Sequence, residues 1–242
     1  MIKNIIFDLG GVLLDIDLAY CMRQVQALGV DLDSMSKQSC QNSYASDQKP
    51  AVLGEGIVAT GATHLYQIGE ISTKEFVGGI QQLCRPETTY KQVLDAWNTC
   101  CIDIPQYRLD KVLQLRQKGY RTYMLSNTND AHWQDIVRRC FGCLDEVNKY
   151  FDKVFLSQEM HMAKPNDDIY LEVLKTIGAE ASECLFIDDS TPNIQAAQAL
   201  GFHTIHAEVS KTRDGRVVSP PATEWKDLID KAIVDMECRT TK

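Results

Sequence analysis

Asp8, Ser126, Lys164 and the adjacent pair Asp188-Asp189 are polar residues that stand at the ends of apolar runs or open the helical patterns beside them. Asp8 follows the run Ile2–Phe7 and directly precedes Gly10-Gly11 after one leucine. Ser126 closes "YMLSN" and leads into Asn127, Thr128 and Asn129. Lys164 opens "KPNDDIY", and the two aspartates close "LFIDD". A carboxylate, a hydroxyl with backbone amides at a helix start, an ammonium and an acidic pair can together hold a phosphoryl group. The acids bind Mg²⁺, which offsets phosphate charge, while Lys164 and the Ser126 region bind its oxygens. Singly, each residue has a plainer explanation: Ser126 as a helix N-cap, Lys164 as a solvated lysine before proline, Asp188-Asp189 with Ser190-Thr191-Pro192 as a capping turn. Their order and their shared placement at strand ends favour the chemical explanation.

The elements that must position these residues read as strands alternating with helices. Ile2–Phe7 is too short for a helix and apolar on both faces, as in a central parallel strand. Tyr120–Leu125, Lys153–Leu156, Glu183–Ile187 and the shorter Phe202–Ile205 resemble it. Helical patterns lie between them over Leu109–Lys118, Asp130–Cys140, Pro165–Ile177 and Pro192–Leu200, several with proline near the start and glycine just past the end. This order predicts an α/β fold, an open parallel Rossmann-like sheet with ligands at the carboxyl ends of its strands.

About 110 residues separate the first two strands, far more than the dozen or so a crossover needs. An insertion is expected. Residues 17–97 carry helical patterns (Leu18–Leu28, Lys74–Leu83, Thr89–Trp97) and no convincing strand, so they predict a helical cap inserted after the first strand; 1–16 and 98–242 form the α/β core. Gly54–Gly69 has no clear period. Arg213–Pro221 reads as a turn-rich connector before an amphipathic helix over Glu224–Met236.

With 33 acidic and 25 basic residues in 242, the net charge of −8 excludes the clustered basic footprint of a nucleic-acid binder. A small phosphorylated metabolite is the expected partner; no spacing specifies an oligomeric state. No signal-like leader and no run near ~18 apolar residues is present, so neither secretion nor a membrane is indicated, and a cytoplasmic location is expected. The nine cysteines then read as reduced thiols. Cys140-Phe-Gly-Cys143 has half the spacing of a metal or redox site, without an evident second half.

"IIFDLGGVLLD", "YMLSNTN", "AKPNDDIYLEVL" and "LFIDDSTPNIQAAQALG" resemble, in order, the four motifs of the haloacid dehalogenase-like hydrolase superfamily. "LYQIGEISTKEF", "AWN" and "SNTNDAH" further resemble the branch that includes bacterial α-D-glucose-1-phosphate phosphatase. The resemblance implies Mg²⁺-dependent phosphomonoester hydrolysis through an aspartyl-phosphate on Asp8, possible substrates including a hexose 1-phosphate. It implies that Asp8, the Gly10 backbone carbonyl and Asp189 hold the metal, with Asp188 acting through water or hydrogen bonds. Ser126 and the Asn127 amide would hold phosphate oxygens, and Lys164 would bridge phosphate and Asp8.

Most phosphatases of the superfamily carry an acid two residues after the nucleophile, where this chain has Gly10. A general acid is worth roughly 10²- to 10⁴-fold. Asp15, Asp17, His132 and Glu70 are candidate substitutes; a good leaving group, or slow or absent turnover, are the other outcomes. Three rivals follow: a metal-independent 2-haloacid dehalogenase, a phosphomutase, and a non-catalytic phosphometabolite-binding protein. The first is disfavoured by Asp188-Asp189, whose charge beside another carboxylate makes sense with Mg²⁺ present. A mutase needs the missing acid, and a pure binder has no need of both Asp8 and Lys164.

Overall fold

The computed structural model describes residues 1–30, 61–207, 210–211, 217–218 and 228–234. Its centre is a five-stranded parallel sheet of β1 (Asn4–Phe7), β4 (Arg121–Ser126), β5 (Lys153–Leu156), β6 (Cys184–Asp188) and β7 (His203–His206), in the order β5-β4-β1-β6-β7. β1 lies in the middle, with Phe7 opposite Met124 on one side and Ile187 on the other. The run is apolar on both faces because both faces are covered. Ile5, Phe7, Met124, Leu185 and Ile187 pack into one hydrophobic layer, Ile6, Tyr123, Leu125 and Phe186 into the other. All five predicted strands are present, each within one or two residues of its expected limits.

The crossover helices are α5 (Gln106–Gln117), α6 (Asp130–Ile136), α9 (Asp167–Ile177) and α10 (Thr191–Ala199), with the short α7 (Leu144–Val147) and α8 (Ser157–Met160) beside β5. Asn129 caps α6 by accepting from His132 N, and Gly178 closes α9 in the left-handed conformation. The expected single helix over Asp130–Cys140 departs from α geometry at Val137 and ends as a π-helical turn through Phe141.

Among the described residues, four helices lie between β2 (Asp15–Ile16) and β3 (Cys101–Asp103): α1 (Leu18–Ala27), α2 (Gly61–Gln67), α3 (Thr73–Gln81) and α4 (Tyr90–Asn98). Ser72 with Glu75 and Thr89 with Gln92 form capping boxes that start α3 and α4. α2 falls in the stretch Gly54–Gly69 that has no sequence period; residues 54–60 are outside the described ones.

A second, small antiparallel sheet was not expected. Its order is β3-β2-β9-β8, with β8 at Ser210–Lys211 and β9 at Val217–Val218. The predicted connector Arg213–Pro221 therefore contains a strand, which pairs through Val217 with Ile16 of β2. Of the predicted helix Glu224–Met236, residues 228–234 are described as helical, with Ile229 and Ile233 in the core. No helix among the described residues is long and apolar enough to cross a membrane.

Candidate active site

The carboxyl ends of β1, β4 and β6 and the loop after β5 bring the sequence-predicted residues together. Asp8 follows β1 and is anchored by its own amide, which donates to Ile187 O at 2.8 Å. Its Oδ1 accepts from Leu9 N at 2.7 Å and from the Lys164 ammonium at 2.9 Å. Lys164 is 3% exposed and donates also to Leu125 O at 2.9 Å and to Asp188 Oδ2 at 2.7 Å. A buried ammonium held by two carboxylates and a carbonyl is fixed in place, and its charge is less screened than at a surface.

Asp8, Asp188 and Asp189 offer oxygens that all lie within 4.8 Å of one another, the one group of three potential metal ligands among the described residues. Burial pushes the Asp8 carboxyl up to about 8; Asp188 and Asp189 add to that push, and Lys164 opposes it. Burial likewise raises Asp189 to about 6, with Asp188 adding to the rise and Lys164 opposing. Like charges crowded at a strand tip are costly alone and favourable around a divalent cation, and an all-oxygen donor set suits Mg²⁺.

The backbone makes room for this group. Gly11 has φ +74°, and a Cβ there would lie 2.5 Å from Asp189 Oδ2 and 2.7 Å from its Cγ. Gly10 differs: a Cβ would meet only Ile16 side-chain carbons at 3.7 and 3.8 Å, an ordinary contact, so glycine is not sterically required there. Gly11→Ala is therefore expected to displace Asp189, cutting apparent Mg²⁺ affinity about 10- to 100-fold, as a Mg²⁺ titration of the variant would measure. Unchanged affinity would separate Asp189 from the metal.

Asp188 is fully buried and its oxygens are occupied. Oδ1 accepts from Ser190 N at 2.8 Å, and Asn193 Nδ2 reaches Oδ1 and Oδ2 at 3.1 and 3.0 Å. Asn193 escaped the sequence reading, although it lies in the quoted stretch "DDSTPN"; an amide one turn into a helix gives no signal by itself. Asn127 has a further contact that the sequence did not announce. Its side chain clasps the Lys164 backbone, donating to Lys164 O at 2.8 Å and accepting from Lys164 N at 2.9 Å. Ser126 is buried at the β4 tip, opposite Leu156.

The candidate replacements for an acid at position 10 are engaged with other partners or exposed. Asp15 accepts from the buried Arg108, whose other donors reach Leu13 O at 2.8 Å and Tyr107 Oη at 3.2 Å. Asp17 caps α1 by accepting from Tyr20 N at 2.7 Å. His132 stacks on Trp97 and uses both ring nitrogens, with Trp97 O at 3.1 Å and Asn129 Nδ2 at 3.2 Å. Glu70 is exposed and faces His161 at 3.7 Å. Cys140 contacts Asp103 Oδ1 at 3.7 Å and Cys143 is exposed; both are free thiols outside the metal-ligand group.

The family model of the haloacid dehalogenase-like hydrolases matches residues 2–201. The chain belongs to that family. It is 32% identical over 210 residues to the D-ribitol-5-phosphate phosphatase of Bacteroides thetaiotaomicron, a match covering 86% of this chain and 93% of the relative. A solved enzyme of the family from the same organism, in complex with magnesium and inorganic phosphate, superimposes with a TM-score of 0.71 at 34% identity, over 86% of this chain and 95% of that one. A predicted HAD-like family hydrolase from Porphyromonas gingivalis gives 0.66 at 34% identity, over 85% and 90%. A 2-haloacid dehalogenase from Pseudomonas syringae shares the fold, with a TM-score of 0.53 at 17% identity. Among haloacid dehalogenase-like hydrolases this chain stands with the phosphatases, enzymes that use Mg²⁺.

Proposed function

We propose that the protein hydrolyses a small phosphomonoester of the sugar or polyol class through a phosphorylated Asp8. The observation that carries this reading is the Asp8 carboxylate at a strand tip, 2.9 Å from a buried ammonium and grouped with two further carboxylates. Asp8 Oδ1 is held by Leu9 N and Lys164, which leaves Oδ2 to attack phosphorus. The new P–O bond forms in line as the bond to the leaving oxygen breaks. Water then attacks the aspartyl-phosphate, releasing phosphate and restoring the carboxylate.

Asp8, Asp189 and the Gly10 carbonyl would hold Mg²⁺, which supplies charge neutralisation for the phosphate. Asp188, its oxygens already taken by Lys164, Asn193 and Ser190, aligns the ammonium and acts on the metal indirectly. Lys164 offsets the charge that builds on the phosphoryl oxygens, and Ser126 with the Asn127 amide binds them. Asn127, clasped to the Lys164 backbone, keeps these two groups in register. Residues 17–97 act as the cap over a core of 1–16 and 98–242, excluding water before transfer and selecting the leaving group.

The relative named for D-ribitol 5-phosphate supports an acyclic polyol phosphate as the first substrate to test, ahead of a hexose 1-phosphate. The distinguishing experiment uses phosphate esters whose leaving groups span a wide pKa range, assayed with Mg²⁺ and with chelator. Since Gly10 supplies no proton and Asp15, Asp17 and His132 are engaged elsewhere, rates on unactivated esters should fall steeply as leaving-group pKa rises, and chelator should abolish turnover. Turnover indifferent to chelator would sink the reading. A flat leaving-group profile would mean that another group donates the proton.

A further inference from the structure

The segment from Asn127 to Ala131, which joins the β4 tip to α6, is held along its length by groups from other parts of the fold. Asn127 clasps the Lys164 backbone. Thr128 N donates to Ser157 Oγ at 3.0 Å, and Ala131 N donates to Tyr66 Oη at 3.0 Å. Both of these last partners lead into the insertion. Tyr66 belongs to α2, and Ser157, the first residue of α8, contacts Gln67 O of α2 at 2.6 Å. A further contact, between His132 Nε2 and Trp97 O at 3.1 Å, comes from the end of α4.

Ser157 is fully buried, and its hydroxyl carries a single proton. With Thr128 N donating to Oγ, that proton has two acceptors in reach, Gln67 O at 2.6 Å and Thr128 O at 3.1 Å, and the shorter contact takes it. One atom thus accepts from the segment behind Ser126 and donates to the inserted helix. Tyr66 makes a similar link one residue earlier. Its Oη accepts from Ala131 N, which leaves its own proton for Thr73 Oγ1 of α3 at 2.9 Å. Gly69, with φ +73°, lies so close to α8 that a Cβ there would come within 2.2 Å of Gln158 O. The approach of residues 66–69 to α8 therefore depends on position 69 having no side chain.

We propose that Ser157 is a positioning residue that couples docking of the insertion to phosphate binding. The proposal rests on the reading above in which Ser126 and the Asn127 amide hold the phosphoryl oxygens. Donors bind an oxyanion best when they are fixed before it arrives, because otherwise binding must also order them. Thr128 follows the residue that carries the phosphate-binding amide, so the hydroxyl that fixes Thr128 N restrains that residue too. Ser157 donates to Gln67 O only while the insertion is docked. Withdrawal of α2 removes this acceptor and, with Tyr66, frees Ala131 N, so the segment behind Ser126 loosens at two points. Linkage makes the effect reciprocal: bound phosphate favours the docked insertion. The link uses uncharged groups outside the carboxylate cluster, so Mg²⁺ affinity is independent of it.

The test measures the affinity for inorganic phosphate at saturating Mg²⁺, by calorimetry, in the parent, Ser157→Ala, Gly69→Ala and Thr122→Val. Ser157→Ala leaves Thr128 N and Gln67 O without their shared partner; Gly69→Ala obstructs docking from the side of the insertion and deletes no polar group. Both should weaken phosphate binding about 10-fold while the Mg²⁺ affinity of the phosphate-free protein stays within about twofold of the parent. Thr122→Val is the control. It deletes a buried hydroxyl bonded to Tyr150 O at 2.6 Å, near the opposite end of β4, and should lower Tm while leaving phosphate affinity unchanged. Unchanged phosphate affinity in Ser157→Ala or in Gly69→Ala, a matching loss of Mg²⁺ affinity, or an equal loss of phosphate affinity in Thr122→Val would overturn the proposal. Failure of the phosphatase reading is a separate result, seen in the parent alone: no phosphate binding at saturating Mg²⁺ and no hydrolysis of p-nitrophenyl phosphate, which would remove the proposal with it.

Discussion

Asp8→Asn should lower turnover by at least roughly 10⁴-fold, because the amide cannot form the covalent intermediate that divides the reaction into two displacements. Acid-quenched parent incubated with a ³²P-labelled substrate should retain label at Asp8, and the variant none. The same substitution has an opposite effect on stability. In the metal-free parent, burial and two neighbouring carboxylates lift Asp8 to about 8 from the ordinary 3.8. A group whose carboxyl binds its proton more tightly when folded stabilises the fold at low pH and loses that contribution as pH rises through 4 to 8. Asp8→Asn removes this slope. Metal-free melting curves should therefore show the variant gaining on the parent as pH rises from 5 to 8, while Mg²⁺ raises the Tm of the parent more than that of the variant. Full activity in Asp8→Asn would end the mechanism, and parallel pH slopes would remove the electrostatic account of the site.

What was legible in the sequence follows from which physical signals are local. β1 and β6 are buried on both faces, so their apolar runs and the aspartates that end them stand out without knowledge of the partners. Asp8, Lys164, Asp188 and Asp189 could be placed on one face because parallel strands align their carboxyl ends. β2, β3, β8 and β9 span only two or three residues each, too short for any period, and they exist because they pair with one another. Side-chain partners across the fold were equally silent. Nothing near Asn127 in the chain points to its clasp on Lys164, 37 positions away, nor near Arg108 to its bonds with Leu13 and Asp15. His132 read as a possible acid because its type is catalytic; its stack on Trp97 and the contact of its Nε2 with Trp97 O depend on a helix 35 positions earlier in the chain, and only the contact of its Nδ1 with Asn129 is local.

Lys164→Met should reduce kcat about 10³-fold and destabilise the fold in a pH-dependent way. The catalytic part follows from removing a positive charge preorganised, in a buried site, beside the reacting carboxylate. The stability part follows from what is left behind. Lys164 bridges Asp8 at 2.9 Å and Asp188 at 2.7 Å, with the side chains of Lys164 and Asp188 fully enclosed. Burial alone would weaken the ammonium, yet Asp188 and Asp8 raise its affinity for the proton above the ordinary lysine range. Deleting the cation from such a group costs about 3–5 kcal/mol when the remaining charges stay ionised. They need not stay so at low pH. Without Lys164 the Asp8 and Asp189 carboxyls lose an opposing influence and move further up; near pH 5 both hold their protons with or without it, whereas toward pH 8 the parent ionises Asp189, at about 6, more readily than the variant. The destabilisation should therefore be small near pH 5 and grow toward pH 8, and saturating Mg²⁺ should recover part of the stability while leaving kcat low. Denaturant melts at the two pH values, with and without Mg²⁺, check this directly. A loss of stability independent of pH would show that Lys164 holds the site through packing and its bond to Leu125 O, not through its charge.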